Sequence, residues 1–118
     1  MTRQNGGVDD LARTPEPPYY AVIFANVRDP QPGDGYEATA DRMLELARNQ
    51  PGYLGVDTVR EGVTGITVSY WRDEASIAQW KQHVEHTEAR EEGRARWYER
   101  YVLRVARVER AYDFGYGE

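Results

Sequence analysis

Apolar and polar positions separate the chain into short strands and two helices. Tyr19–Val27 is a compact run of β-branched and aromatic residues, which predicts a strand. Leu54–Arg60 and Gly65–Trp71 alternate with period two, and Glu61–Gly65 predicts a hairpin turn that connects them. A long fourth strand is predicted over Trp97–Phe114. Its apolar positions switch from odd to even numbers, which indicates a bulge or a change in what covers each face.

Helical spacing of apolar residues appears in two other segments. Tyr36–Gln50 carries one apolar stripe, with Asp34 placed to cap its first turn. Asp73 is placed to cap a second helix, in which Ile77 and Trp80 share one side. The order strand, helix, strand, strand, helix, strand is that of the split βαβ, ferredoxin-like fold. This is an α+β architecture with a four-stranded antiparallel sheet.

The chain has 118 residues, which fits one domain. Residues 1–18 are rich in Pro and Gly and predict a disordered or extended N-terminal arm. Residues 19–114 form the predicted ferredoxin-like domain, and residues 115–118 a C-terminal tail.

Both faces of the predicted sheet are apolar. In the first strand Tyr19, Ala21 and Ile23 point one way, and Val22 and Phe24 the other. Helices in this fold cover only one face, and an exposed apolar face favours a partner. A second copy related by a two-fold axis is the simplest one. We therefore expect a homodimer that forms a dimeric α/β barrel, with the long last strand reaching to the second copy.

Composition excludes several classes of function. The chain has no Cys, which rules out disulfides, thiolate metal sites and thiol nucleophiles. Its net charge of −5 argues against nucleic-acid binding. No apolar run approaches the roughly 18 residues of a membrane span, and no signal-peptide pattern is visible, so we expect a cytoplasmic protein. Nucleotide and flavin fingerprints are also absent.

Few side chains are suited to chemistry. Asn26 shares a strand face with Phe24, and its amide either orients a substrate oxygen or O₂, or caps the following loop. Trp80 lies on the apolar side of the second helix, as a core residue or a cavity wall. His83 and His86 are the only histidines. They give a weak metal signal, so no metal site is predicted. His86 is a structural or polar surface residue, a general base, or a haem ligand.

Arginine and tyrosine are concentrated near the last strand. Residues 94–110 hold six Arg and two Glu. They form a solvated face, a dimer rim, or a binding point for an anionic substrate group. Tyr98, Tyr101 and Tyr112 are placed to supply hydroxyls at a cavity wall, and they are equally good interface residues.

Two stretches, VSYWRDEASIAQWKQHVEH at 68–86 and GRARWYERYVLRVARVERAYDF at 93–114, carry a family resemblance. With the order of elements, they resemble the antibiotic biosynthesis monooxygenase family of dimeric α/β barrels, over about residues 19–114. Members of this family oxidise aromatic polyketides, act on quinols, degrade haem, or have no established activity. The resemblance therefore implies a fold more firmly than an activity.

Residue roles follow from the haem-degrading members of that family. They use an Asn near the end of the first strand, which Asn26 matches, and a Trp on the second helix, which Trp80 matches. Their haem-ligating His follows that Trp by about ten residues, where this chain has Arg90. His86 follows Trp80 by six residues, so the chain departs from the haem-degrading pattern.

The function predicted from the sequence is a cofactor-independent monooxygenase acting on a small aromatic or quinol-like compound. The alternatives are a non-catalytic dimeric protein that binds a small hydrophobic ligand or serves a stress response, and a haem-binding or haem-degrading protein. The predicted catalytic residues are Asn26, Trp80 and His86. The predicted substrate-binding residues are Phe24, Tyr70, His83 and Tyr101.

Overall fold

A computed structural model describes residues 11–29, 31–91 and 97–115, without the side chains of residues 86–91. Its elements are β1 (Tyr19–Val27), α1 (Tyr36–Arg48), β2 (Tyr53–Glu61), β3 (Thr64–Trp71), α2 (Glu74–Glu91) and β4 (Arg100–Val108). The strands form one antiparallel sheet in the order β2-β3-β1-β4. The predicted α+β, ferredoxin-like fold is confirmed.

The last strand is shorter than its sequence pattern predicts. β4 covers only Arg100–Val108, and it pairs with β1 in unbroken register from Tyr19 opposite Val108 to Val27 opposite Arg100. The prediction of strand over 97–114 is wrong at both ends, because β1 offers no further pairing partner beyond Tyr19 or Val27. The predicted bulge is absent from the β1–β4 pairing. The register shift in this sheet lies in β2 instead, between Tyr53 and Gly55.

Aspartates bond the first turns of both helices, but the N-cap of α1 is Gly35 and not the predicted Asp34, which lies one residue earlier. The Asp34 carboxylate accepts the backbone N–H of Tyr36 at 2.9 Å, and this bond is the main reason why the pKa of Asp34 is lowered. The Asp73 carboxylate accepts the N–H of Ser76 at 2.8 Å, which likewise lowers the pKa of Asp73. These bonds satisfy N–H groups that the first turn of a helix leaves unpaired.

A small aromatic core lies between the sheet and the helices. Trp71 is fully buried and packs with Val22 of β1 and Ala47 of α1. The indole of Trp80, on α2, stacks on Trp71 with ring centroids 6.0 Å apart. No helix in the described part of the chain is long and apolar enough to cross a membrane.

The other face of the sheet is covered at one end by residues of the N-terminal arm. The backbone N–H of Ala12 donates to the Asp57 carboxylate at 2.7 Å, and the Thr14 hydroxyl donates to the phenol of Tyr19 at 2.8 Å. Tyr70 also donates to Asp57, at 2.8 Å. The arm therefore packs along the row of side chains that includes Tyr19 and Tyr70.

Candidate functional site

A row of residues crosses the helix-facing side of the sheet near the end of β1. Asn26 of β1 lies opposite Tyr101 of β4 on one side and Gly65 of β3 on the other, and Gly65 lies opposite Arg60 of β2. The Asn26 side chain is buried, with only 4% of the residue exposed. Arg60 Nη2 donates a hydrogen bond to Asn26 Oδ1, and Nη1 donates to the carbonyl of Val63 at 3.0 Å. Arg60 thus reaches across β3 to a residue two strands away.

Gly65 provides the space for this crossing. A Cβ atom at position 65 would lie 2.5 Å from Arg60 Nη2 and 2.7 Å from Arg60 Cζ. Real Cβ atoms do not approach other atoms so closely, so any other residue would displace the guanidinium. A glycine inside a strand commonly marks a place where another group approaches the backbone closely.

The guanidinium fixes the orientation of the Asn26 amide. Arginine can only donate hydrogen bonds, so the amide oxygen must face Arg60 and the NH₂ group must face the other way. Within the described part of the chain, Nδ2 of Asn26 has no protein acceptor. The Asn26 NH₂ group, which makes no hydrogen bond to the described residues, is suited to donate to an oxygen atom of a ligand.

Aromatic rings surround this row. Phe24 precedes Asn26 by two residues on the same face of β1. Its ring centroid lies 5.3 Å from those of Tyr98 and Tyr101. Tyr36, at the start of α1, lies edge-on to Tyr98 at 5.9 Å. The structure therefore brings together Asn26, Phe24 and Tyr101, three of the residues that the sequence analysis singled out.

A second arginine lies on the Tyr36 ring. Arg28 is buried, and its guanidinium carbon lies 3.7 Å from the ring centroid, while that of Arg60 lies 5.8 Å away. Arg28 forms an ion pair with Asp34 at 2.7 Å, and its buried Nε has no hydrogen-bond partner among the described residues. An open cavity of ≈ 300 Å³ lies against Arg28, Asp34 and Tyr36. Two guanidinium groups and one carboxylate therefore meet around a single ring.

Trp80 and His83 lie at the other end of the sheet. Trp80 stacks between Trp71 and His83, whose ring centroid is 6.4 Å away. Trp71 pairs with Tyr20, which precedes Asn26 by six residues, or about 20 Å along β1. The structure therefore does not bring Trp80 or His83 together with Asn26.

Tyr70 also falls outside the Asn26 site. Tyr70 is on the opposite face of the sheet, where it bonds to Asp57 and packs edge-on against Tyr19 at 5.9 Å. Burial, with the Asp57 carboxylate, raises the pKa of the Tyr70 phenol. The predicted role of His86 falls on a side chain outside the described residues.

The described residues contain no cluster of three side chains suited to hold a metal ion. His83 is the one histidine whose side chain the structure describes, and it is stacked on Trp80. The haem-ligating His of the haem-degrading enzymes therefore has no counterpart among the described side chains.

Sequence reasoning missed Arg60, Arg28 and Tyr36 as members of the site. No motif in the sequence includes them, because they come from β2, the end of β1 and the start of α1. Gly65 was the available signal, because a glycine in a strand often marks a place where another group approaches the backbone closely.

Comparison with known proteins identifies the family. The family model described as "Antibiotic biosynthesis monooxygenase" matches residues 18–92, well over half of the chain. The chain belongs to the antibiotic biosynthesis monooxygenase family. This family match agrees with the resemblance predicted from the sequence.

Two curated relatives are similar to the chain in sequence. An uncharacterized protein of Bacillus subtilis, YqjZ, is 54% identical over 104 residues, which cover 87% of this chain and 90% of YqjZ. The "Jasmonate monooxygenase ABM" of Pyricularia oryzae is 31% identical over 94 residues. That match covers 75% of this chain but 43% of the fungal protein, so this chain spans less than half of the length of that relative.

Solved structures of distant relatives share the fold. PA3566 from Pseudomonas aeruginosa matches with a TM-score of 0.61 at 16% identity, covering 82% of this chain and 98% of PA3566. Rv0793 from Mycobacterium tuberculosis matches with the same TM-score at 15% identity, covering 82% and 99%. Similarity at this level of identity supports the ferredoxin-like architecture alone.

Proposed function

We propose that this member of the antibiotic biosynthesis monooxygenase family is a cofactor-independent monooxygenase for a small aromatic or quinol-like compound. The observation that carries the proposal is the buried Asn26 amide, whose NH₂ group is turned away from Arg60 beside the Phe24, Tyr98 and Tyr101 rings. The similarity to a jasmonate monooxygenase supports an oxygenase reaction. It does not define the substrate.

The proposed reaction takes its electrons from the substrate. A ring carbon of an electron-rich dihydroaromatic compound loses two hydrogens and gains one atom of O₂ as a carbonyl oxygen. The second oxygen atom leaves as water with those two hydrogens, so atoms and electrons balance. The rings around Asn26 would exclude water from the reacting atoms, and the Asn26 NH₂ group would donate to the oxygen that gains negative charge.

The test is oxygen consumption by the purified protein with a panel of hydroquinones, phenols and anthrone. We expect consumption above the uncatalysed rate with at least one compound, and about a hundredfold loss of rate in Asn26→Ala, as when one donor to a developing oxyanion is removed. Asn49→Ala, at an exposed position just after α1, is the matched control and should keep the full rate. The proposal fails if no compound is oxidised faster than without protein. Tight binding of a ligand that is recovered unaltered would instead favour a binding protein.

We also propose that the protein is a homodimer formed through the sheet face opposite the helices. One row on this face runs Val59, Ile66, Ala25 and Val102 across all four strands. Val59, Ile66 and Val102 are 66%, 41% and 46% exposed, so the row is an apolar stripe open to solvent. A second copy is the expected cover for such a surface.

The charges beside this stripe favour one arrangement of the two copies. The same face carries Asp57 and Glu61 on the β2 edge and Arg100 and Arg104 on the β4 edge. A two-fold axis parallel to the strands would place the acidic edge of each copy over the basic edge of the other. Such complementarity favours a specific alignment of the two sheets.

A further inference from the structure

We infer that the Asn26 site selects aromatic ligands that carry an anionic oxygen, a carboxylate or an ionised phenol, and that Arg60 is the residue that recognises it. This inference rests on the proposed function, because it names the substrate class of the same site. It depends on the charge and placement of Arg60, neither of which the family match assigns.

The charge of Arg60 is not neutralised by the protein. Its two hydrogen bonds go to neutral oxygens, the amide oxygen of Asn26 and the carbonyl of Val63. Arg28 differs, because Asp34 lies 2.7 Å from its guanidinium. Within the described part of the chain, no carboxylate forms an ion pair with Arg60. The site therefore holds one more positive charge than negative charge.

The surroundings of Arg60 strengthen the hydrogen bond that its guanidinium would form with a ligand anion. The guanidinium is half-buried, and it lies between the polar row and the ring of Tyr36. Partial burial lowers the local dielectric response, so a charge-assisted hydrogen bond is stronger there than in water. A guanidinium has five N–H donors, and donors beyond the two that bind Asn26 and Val63 are free to bind an oxygen.

The rest of the site fits an aromatic body attached to that oxygen. Phe24 lies one row from Asn26 on the same face of β1, and Tyr101 lies directly opposite Asn26 on β4. A flat ring packed on these side chains would place its acidic substituent toward Asn26 and Arg60. The Asn26 NH₂ group and the Arg60 guanidinium would then both donate to the ligand.

The crossing at Gly65 allows the guanidinium to be moved without changing its charge. Gly65→Ala introduces a Cβ at the position occupied by Nη2 and Cζ of Arg60. The end of a long side chain can swing away from such a contact, so the sheet should persist while Arg60 leaves Asn26. Gly65→Ala therefore tests the effect of moving the charge, and Arg60→Met tests the effect of removing it.

The experiment measures binding of 2-naphthoate and of its neutral analogue 2-naphthylmethanol by titration calorimetry at neutral pH. We expect the wild type to bind 2-naphthoate about ten- to a hundredfold more tightly, the range expected for one or two charge-assisted hydrogen bonds. Arg60→Met and Gly65→Ala should lose this preference, and Arg60→Lys should restore part of it. Arg48→Met removes an exposed arginine of α1 and should keep the preference for 2-naphthoate. Circular dichroism should confirm that each variant is folded.

A second probe distinguishes a phenolate from a carboxylate. The phenol 4-nitrophenol ionises near neutral pH with a change of absorption, and a guanidinium beside its oxygen would shift the bound form toward the anion. We expect that shift in the wild type and not in Arg60→Met. A shift without a preference for 2-naphthoate would restrict the ligand to phenols, and the reverse would restrict it to carboxylates.

The inference is overturned if the wild type binds 2-naphthoate and 2-naphthylmethanol equally and leaves the ionisation of 4-nitrophenol unchanged. It is also overturned if neither naphthyl probe binds. Oxygen consumption with neutral hydroquinones is measured separately on the same preparations. If the wild type shows that activity but no preference for the anionic probes, the proposed monooxygenase stands and only the anion preference fails.

Discussion

The indole N–H of Trp97 donates a 2.9 Å hydrogen bond to the backbone carbonyl of Asp34. The two residues are 63 positions apart, and the bond joins the segment before β4 to the segment before α1. Trp97 is only 6% exposed, and its ring meets Tyr36 edge-on at 5.7 Å. The Tyr36 ring, on which both arginines of the site lie, is therefore held in place from outside the sheet.

We expect Trp97→Phe to lower the free energy of unfolding by about 1–2 kcal/mol, because it leaves the carbonyl of Asp34 without its indole donor. Trp97→Ala should cost about 3–5 kcal/mol, since it also leaves a cavity. Urea unfolding followed by circular dichroism measures both. Tyr112→Phe, at a position 87% exposed, is the control and should change stability by less than about 0.5 kcal/mol. Equal stability of wild type and Trp97→Phe would contradict the structural role of this bond.

The Tyr70 phenol makes the stability sensitive to alkaline pH. Burial first, and then the Asp57 carboxylate, raises the pKa of Tyr70 above its ordinary value. The folded protein therefore holds this proton more tightly than the unfolded chain. The resulting stability is fully present below the unfolded pKa of about 10, and it is lost as the pH rises through the folded pKa.

Tyr70→Phe tests this dependence. As the pH rises above about 10, the free energy of unfolding should fall more steeply for the wild type than for the variant. Urea unfolding at several pH values gives the two curves. Tyr112→Phe should run parallel to the wild type. Parallel curves for the wild type and Tyr70→Phe would show that the phenol has the same pKa in both states.

Asp57 attaches the N-terminal arm to the sheet. We expect Asp57→Ala to speed hydrogen exchange of the Ala12 amide at least about tenfold, because the carboxylate is its hydrogen-bond acceptor at 2.7 Å. Glu61→Ala removes a carboxylate from the same face of β2 that is not the acceptor of the Ala12 N–H, so the Ala12 amide should be unaffected. If both variants exchange at the wild-type rate, the arm is held by contacts other than this carboxylate.

Most of the fold could be predicted from the sequence, because the order of strands and helices depends on local patterns. The run Tyr19–Val27 is β1 to the residue, and Asp34 and Asp73 bond the first turns of both helices as expected. The extent of β4 could not be predicted in this way. Residues 109–114 continue an apolar alternation, but a strand needs a partner to pair with. β1 begins at Tyr19, which pairs with Val108, so no residue of β1 lies opposite residues 109–114.

The site could be predicted only in part, because its geometry depends on register between strands. Asn26 and Phe24 were recognisable, since they lie two residues apart on one strand. The contact between Arg60 and Asn26 depends on both residues facing Gly65, and no short-range pattern encodes that pairing. The assignment of Tyr70 to the same site did not allow for its position on the face opposite Asn26, which its register with Ala21 determines.

The proposed homodimer can be tested by introducing a single charged residue into the exposed apolar stripe. We expect the wild type to sediment at about twice its 13.6 kDa mass. Val102→Asp should be monomeric at micromolar concentration, because a charge buried between two sheets without a partner is costly. Val63→Asp is a closely matched control: Val63 and Val102 are both 46% exposed, but Val63 lies in the β2–β3 turn and outside the stripe.

The two variants distinguish an interface formed by the stripe from a general effect of adding a charge to exposed apolar surface. If Val63→Asp stays dimeric while Val102→Asp dissociates, the copies meet through the face opposite the helices. Dissociation by both would indicate an interface that includes the turn. A wild type that is monomeric at micromolar concentration would contradict the dimer.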